Sequence, residues 1–251
     1  MSWSSKRKFE YAGVAILVIL VPVVLAGYGY FHRTPTCFDG SQNGDEQGTD
    51  CGGSCLKLCD FQTIPPILRW QRFSRVSAGL YNALAYVENS NQVAGIRSIS
   101  YLFKLYDEDG VIIAKREGTT YLPPKKISPI FEGAIDTGQR TAVRVTFEFT
   151  EDYAWEKYST KEPNVSLTNK VATSTESVPR LDVRAENLSS ARIPHVDFIA
   201  VIYDEKGNAM AFSSTAVDKM DPNMPQNLVF TWREPFLSPV SKIEVIPRID
   251  F

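Results

Sequence analysis

The chain reads as mainly β: one N-terminal transmembrane helix, a small cysteine-stapled loop and two tandem antiparallel β-sandwiches. Three observations predict this. An uncharged apolar stretch runs from Tyr11 to Phe31, the four cysteines are confined to Cys37–Cys59, and a run of period-2 alternation occurs twice.

The apolar stretch, YAGVAILVILVPVVLAGYGYF, has the length of a membrane span. A helix rises about 1.5 Å per residue, so roughly 20 such residues cross a hydrocarbon layer of about 30 Å. Lys6, Arg7 and Lys8 precede it, and Arg33 is the one firm cation just after it. That asymmetry predicts residues 1–10 in the cytoplasm, a helix over 11–31 and everything from His32 onward outside the cell membrane. Tyr28, Tyr30 and Phe31 suit one interfacial aromatic belt, and Trp3 and Tyr11 the other. Pro22 is tolerated in a membrane helix and is expected to kink it. The rival reading is a signal peptide cleaved after Val24-Leu25-Ala26, but the apolar run is longer than an ordinary signal core.

Residues 32–63 form the cysteine-rich acidic module. The stretch CFDGSQNGDEQGTDCGGSCLKLC has almost nothing apolar to bury. Two disulfides, typically about 2–4 kcal/mol each, are its natural staples, and spacing leaves all three pairings of Cys37, Cys51, Cys55 and Cys59 open. A four-thiolate zinc site competes, but an oxidising exterior and the many carboxylates oppose it. The same stretch carries an EF-hand-like order: Asp39, Ser41 and Asn43 at positions 1, 3 and 5, Gly44 at 6, Asp45 at 7 and Asp50 at 12. Hard oxygen donors at that spacing point to Ca²⁺, although position 12 is ordinarily Glu and the flanks are not helices. The competing account is that Asx turns and glycines simply shape a solvated loop. The segment also resembles a cysteine motif of bacterial surface proteins, C-x-D-G-x-x-N-G-x-E-x-x-x-D-C-G-G-x-C. That likeness implies extracellular placement more than any chemistry.

Downstream, the chain repeats itself. Leu105-Tyr106-Asp107-Glu108-Asp109-Gly110 returns as Ile202-Tyr203-Asp204-Glu205-Lys206-Gly207, and Val87-Glu88-Asn89-Ser90 as Ala185-Glu186-Asn187-Leu188. Thr141–Val145 matches Ser241–Val245 in the same order. Duplication predicts one sandwich over 64–150, and a polar connector followed by a second sandwich over 151–251. Within each copy the apolar residues alternate: Ile99, Tyr101, Phe103 and Leu105, then Val143, Val145, Phe147 and Phe149. In the second copy the sets are Val196, Phe198, Ala200 and Ile202, then Ile243, Val245, Pro247 and Ile249. One-sided alternation is the mark of antiparallel sheets with a single buried face. Asp109-Gly110 and Lys206-Gly207 supply the hairpin turns.

Phe103-Lys104-Leu105-Tyr106-Asp107 resembles the F-x-L-Y-D signature of the FxLYD domain of bacterial and archaeal envelope proteins. The second copy departs from it with Ala200-Val201-Ile202-Tyr203-Asp204. The resemblance implies an immunoglobulin-like sandwich and an extracytoplasmic location, and brings no catalytic residues. Each Tyr-Asp pair is expected to place the tyrosine on a sheet face and to start a turn with the aspartate.

A net charge of −2 over 251 residues leaves no basic footprint for nucleic acid. His195 and Asp197 read as a surface pair, and no nucleophile triad, phosphate loop or metalloprotease pattern accompanies them. Trp155, in the connector, is expected to pack between the sandwiches. The resulting expectation is a non-enzymatic, single-pass surface protein, membrane-bound through its helix, with another envelope protein or a glycan as partner. A subunit of a secretion or pilus assembly is the alternative, and a hydrolase with an unrecognised site a third.

Overall fold

The computed structural model describes residues 3–31, 34–158 and 163–249. His32 and Arg33, and the side chains of Trp3, Lys6, Tyr30 and Phe31, lie outside that description, so three of the five expected belt aromatics and two of the four flanking cations do too. The chain divides into two compact units, 1–55 and 56–251.

In the first unit, α1 (Trp3–Phe31) runs through Pro22 as one assigned helix. Its segment Glu10–Gly29 is long and apolar enough to cross a membrane, a test that a signal sequence also passes. The cysteine loop of this unit is held by a Cys37–Cys55 disulfide. Cys51 and Cys59 are disulfide-bonded as well, so no free thiol remains and the zinc alternative falls.

The second unit is built from antiparallel strands. β1 (Ile67–Ser77), β2 (Leu80–Asn89) and β5 (Lys126–Asp136) form one sheet in the order β1-β2-β5. β3 (Ala94–Tyr106), β4 (Ile112–Leu122) and β6 (Arg144–Phe149) form another in the order β4-β3-β6, with the short β7 (Glu156–Lys157) also paired to β3. The strand order then recurs. β8 (Val165–Thr173), β9 (Arg180–Asn187) and β12 (Pro225–Thr231) make β8-β9-β12, and β10 (Val196–Tyr203), β11 (Ala209–Val217) and β13 (Lys242–Arg248) make β11-β10-β13. Each half encloses its own core. Ala83, Ala85 and Val87 of β2 meet Tyr101, Phe103 and Leu105 of β3 in the first. Leu181, Val183 and Ala185 of β9 meet Phe198, Ala200 and Ile202 of β10 in the second.

The two repeated landmarks have physical reasons. Asn89, 1% exposed, donates from Nδ2 to the carbonyls of Ala94, Leu122 and Pro123, and its Oδ1 accepts the Asn91 N–H. Asn187, fully buried, likewise donates to Ala191 and Met220 while accepting the Ser189 N–H. Each asparagine adds hydrogen bonds to carbonyls where the chain leaves one sheet for the other, so the polar groups of that crossing are not left buried and unpaired. The Tyr-Asp pairs behave as their chemistry suggests. Asp107 Oδ1 accepts the Val111 N–H and Asp204 Oδ1 accepts the Lys206 and Asn208 N–H groups, and each aspartate opens a turn closed by a positive-φ glycine. Arg144 lies 3.9 Å over the Tyr106 ring and Lys242 5.0 Å over that of Tyr203.

Three sequence expectations change. Val143 is 46% exposed, because β6 begins only at Arg144. Trp155 does not lie between the halves. It is 3% exposed within the first core, edge-on to Tyr153, and β7 beside it pairs with Ala94 and Gly95 of β3. The stretch opening at 151 therefore packs with the first half, and the second half's strands begin at Val165. The third change concerns the sheets. β2 and β10 are buried on both faces, since Leu84, Tyr86, Ile199 and Val201 join a third cluster with Phe212.

That third cluster is the contact between the halves. The outer face of β1-β2-β5 packs on the outer face of β11-β10-β13, with Trp70 stacked on Tyr86 and Phe131 edge-on to Phe212. Polar groups pin the seam: Asn82 Nδ2 donates to the Phe212 carbonyl and Arg72 to Asn208 Oδ1. The equivalent faces at the two far sides differ in polarity. Where the second half sets Val201 opposite Phe212, the first sets Lys104 opposite Lys115. Where the first half has Leu84 and Tyr86, the second has Asp182 and the exposed Arg184. Burying those charges would cost far more than an apolar contact of that size returns.

Candidate functional site

The five predicted cation ligands do not behave alike. Asp39 Oδ1 accepts the Ser41 N–H at 3.0 Å, and its Oδ2 accepts Asn43 Nδ2 at 2.9 Å. Asp50 turns both oxygens onto backbone amides, those of Asp39 and Gly40. Asp45 instead accepts the Ser54 hydroxyl at 2.8 Å. Asp39, Ser41, Asn43 and Asp50 are thus linked in one hydrogen-bonded turn, and the Asp45 carboxylate is tied separately to Ser54. Gly44 has φ +59°, the left-handed turn that position 6 of such a loop requires. Asn43 Oδ1 is the one oxygen of the set that is buried without a hydrogen-bond partner. Ligand atoms of Cys37, Glu46 and Cys55 lie within 4.8 Å of one another, but the two sulfurs are bonded to each other and offer no thiolate to a metal.

Gly53 shows why this loop closes. Its φ is +53°, and a Cβ there would sit 2.1 Å from the Asp45 carbonyl oxygen, which is backbone and cannot swing away. Gly53→Ala is expected to block the Cys37–Cys55 closure. Free-thiol titration of the purified variant should read two or more free thiols per chain, against none in the parent, and full oxidation would refute the steric account.

A second site, which sequence reasoning missed, lies between the halves. Tyr203 donates to Glu244 Oε2 at 2.8 Å, and Tyr86, from the opposite half, donates to the same oxygen at 3.3 Å. Elsewhere between the halves is a cleft of about 270 Å³, lined among others by Tyr101, Thr120 and Tyr121 of the first half and Asp197, Ser214 and Arg248 of the second. Arg248 is 9% exposed. Its Nη2 donates to Thr120 Oγ1 at 2.8 Å and to the Tyr121 carbonyl at 2.9 Å, and its guanidinium lies 4.1 Å over the Tyr121 ring. Tyr101 donates to Glu132 at 2.7 Å. His195 and Asp197 are an exposed pair at 3.3 Å, as the sequence suggested. A signal for this site was present: Val196–Tyr203 reads VDFIAVIY, nearly continuous in apolar residues, which is how strands buried on both faces read.

Burial raises the Tyr203 phenol to about 12, with Glu244 adding to the effect, and raises Tyr86 further in the same direction. An unfolded tyrosine ionises near 10. The unfolded chain therefore loses phenolic protons first, so the stability these groups contribute is complete below about pH 10 and falls as pH rises through 12. Denaturant midpoints should drop steeply across that window, and Tyr86→Phe should flatten the drop. A profile unchanged by that substitution would remove the phenol from the account.

No family model and no curated protein matches the chain. Among solved structures it is similar to red sea bream transglutaminase, at 11% identity over 73% of this chain and 29% of that one, with a TM-score of 0.22. It is also similar to the Amycolatopsis orientalis exo-chitosanase CsxA, at 13% identity over 65% of this chain and 23% of that one, with a TM-score of 0.19.

Proposed function

We propose that the chain is a non-enzymatic, membrane-anchored envelope protein whose two immunoglobulin-like sandwiches form one rigid body that holds or presents a binding surface to another envelope component. The observation carrying this is the seam between the halves. Leu84, Val201 and Phe212 are fully buried there, and the polar bonds across it fix the relative orientation. A rigid pair keeps its contact residues at set distances, which suits a scaffold better than a flexible tether. The apolar segment Glu10–Gly29 of α1, with Arg7 and Lys8 just before it in the same helix, supports an uncleaved anchor with the bulk of the chain outside. The disulfides agree with an oxidising exterior.

Protease added to intact cells should degrade the region after α1 and spare the N-terminus. A chain protected until lysis would sink the proposal. In-cell cross-linking from the second unit should capture an envelope protein or glycan. A large stable complex surviving gentle detergent would favour the assembly-subunit alternative, and turnover abolished by His195→Ala would favour the hydrolase.

The buried, unpartnered Asn43 Oδ1 favours a second reading of the loop, as a Ca²⁺ site formed by Asp39, Ser41, Asn43, Asp45 and Asp50. A cation there would compete with the amides that now bond Asp39 and Asp50. Calorimetric titration of the full chain should show saturable Ca²⁺ uptake that Asp39→Ala abolishes. Absence of uptake would leave only the turn-shaping role.

A further inference from the structure

The cleft between the halves has a composition that restricts what can enter. Arg248 and Asp197, cross-strand neighbours on β13 and β10, are its charged lining residues among the described residues, one of each sign. Around them stand the hydroxyl-bearing residues Tyr101, Thr120 and Ser214, over walls that include Phe131 and Ile199. A balanced pair offers little to a strongly anionic or cationic ligand, because one of the two charges always opposes it. Groups that both donate and accept, set over apolar walls, match a ring bearing hydroxyls at its edge and C–H bonds on its faces. At about 270 Å³ the space sits just below the usual range of small-molecule sites, roughly 300–1,000 Å³, and admits about one ring. Arg248 is already immobilised by Thr120, the Tyr121 carbonyl and the Tyr121 ring, so little side-chain freedom is lost on binding. Both halves supply the lining, so the site exists only while they are docked.

We propose that this cleft binds one residue of a neutral glycan, with Asp197 accepting and Arg248 donating hydrogen bonds to its hydroxyl groups. The proposal rests on the envelope-binding reading above and names the chemistry of the partner.

The test uses the full chain in lipid nanodiscs, titrated with neutral mono- and disaccharides by saturation-transfer NMR and calorimetry. At least one sugar should bind saturably. Asp197→Asn should weaken it about tenfold, the scale of one hydrogen bond to a charged group. Ser214→Trp starts from an exposed position at the cleft and should abolish binding with the far-ultraviolet circular dichroism and the thermal midpoint of the fold unchanged. Binding that survives Ser214→Trp overturns the proposal. So does a panel in which no neutral sugar binds, or in which only free amino acids or charged sugars do. Capture of an envelope protein without any sugar would end the glycan assignment alone. A chain confined to the cytosol would end the envelope reading itself, whatever the sugars do.

Discussion

Asn89→Ala is expected to destabilise the second unit by about 3–5 kcal/mol, among the largest effects of any single polar substitution in this chain. The side chain donates to three carbonyls and accepts from Asn91 at 1% exposure, so its removal strands several buried polar groups at about 1–3 kcal/mol apiece. Asn89→Asp should be worse near neutral pH, since a carboxylate would face three carbonyl oxygens, and should recover partly in acid as it protonates. Asn187→Ala should cost less, because two carbonyls are left instead of three. Chemical denaturation at matched pH measures all three. A loss below about 1 kcal/mol for Asn89→Ala would mean that water reaches those carbonyls and that the asparagine is not the link between the sheets.

The second large effect concerns the seam. Phe212 is fully buried and edge-on to Phe131 of the opposite half, so Phe212→Ala should cost about 3–5 kcal/mol. Phe212→Lys is more telling, because it installs the residue that the first half carries at the same place, Lys115 opposite Lys104. An ammonium cannot stay buried among Leu84, Ile199 and Val201. The halves should therefore separate while each keeps its own core. Small-angle scattering should report a longer particle, protease should cut in the stretch after Tyr158, and one thermal transition should become two. A compact particle with a single transition would show that the polar bonds of Asn82, Tyr86 and Arg248 hold the halves without the apolar seam.

The seam and the two asparagines mark how much could be read in advance. Period 2, the repeated Tyr-Asp and Glu-Asn landmarks and the turn glycines are local properties, and they pointed to β-strands and, Val143 apart, to the inward residues of β3, β6, β10 and β13. Asn89 and Asn187 were visible as a match between copies. Their purpose was not, because it depends on carbonyls of residues Leu122 and Met220, 33 positions away. Trp155 misled for a similar reason: a tryptophan in a polar connector has no local partner to reveal which core it fills. The loop ligands were legible as a spacing, yet spacing does not show that Asp50 spends both oxygens on amides while Asn43 Oδ1 is left over.

By itself the sequence determined the apolar helix, the cysteine-stapled loop and a mainly β chain, because backbone period, side-chain hydropathy and turn chemistry act over a few residues. Only the tertiary structure decided that the two halves meet face to face, that one pair of equivalent faces docks while the other stays charged, and that Tyr86, Tyr203, Glu244 and Arg248 gather at the join. Those outcomes depend on groups more than a hundred residues apart competing for burial, and no local pattern carries that competition.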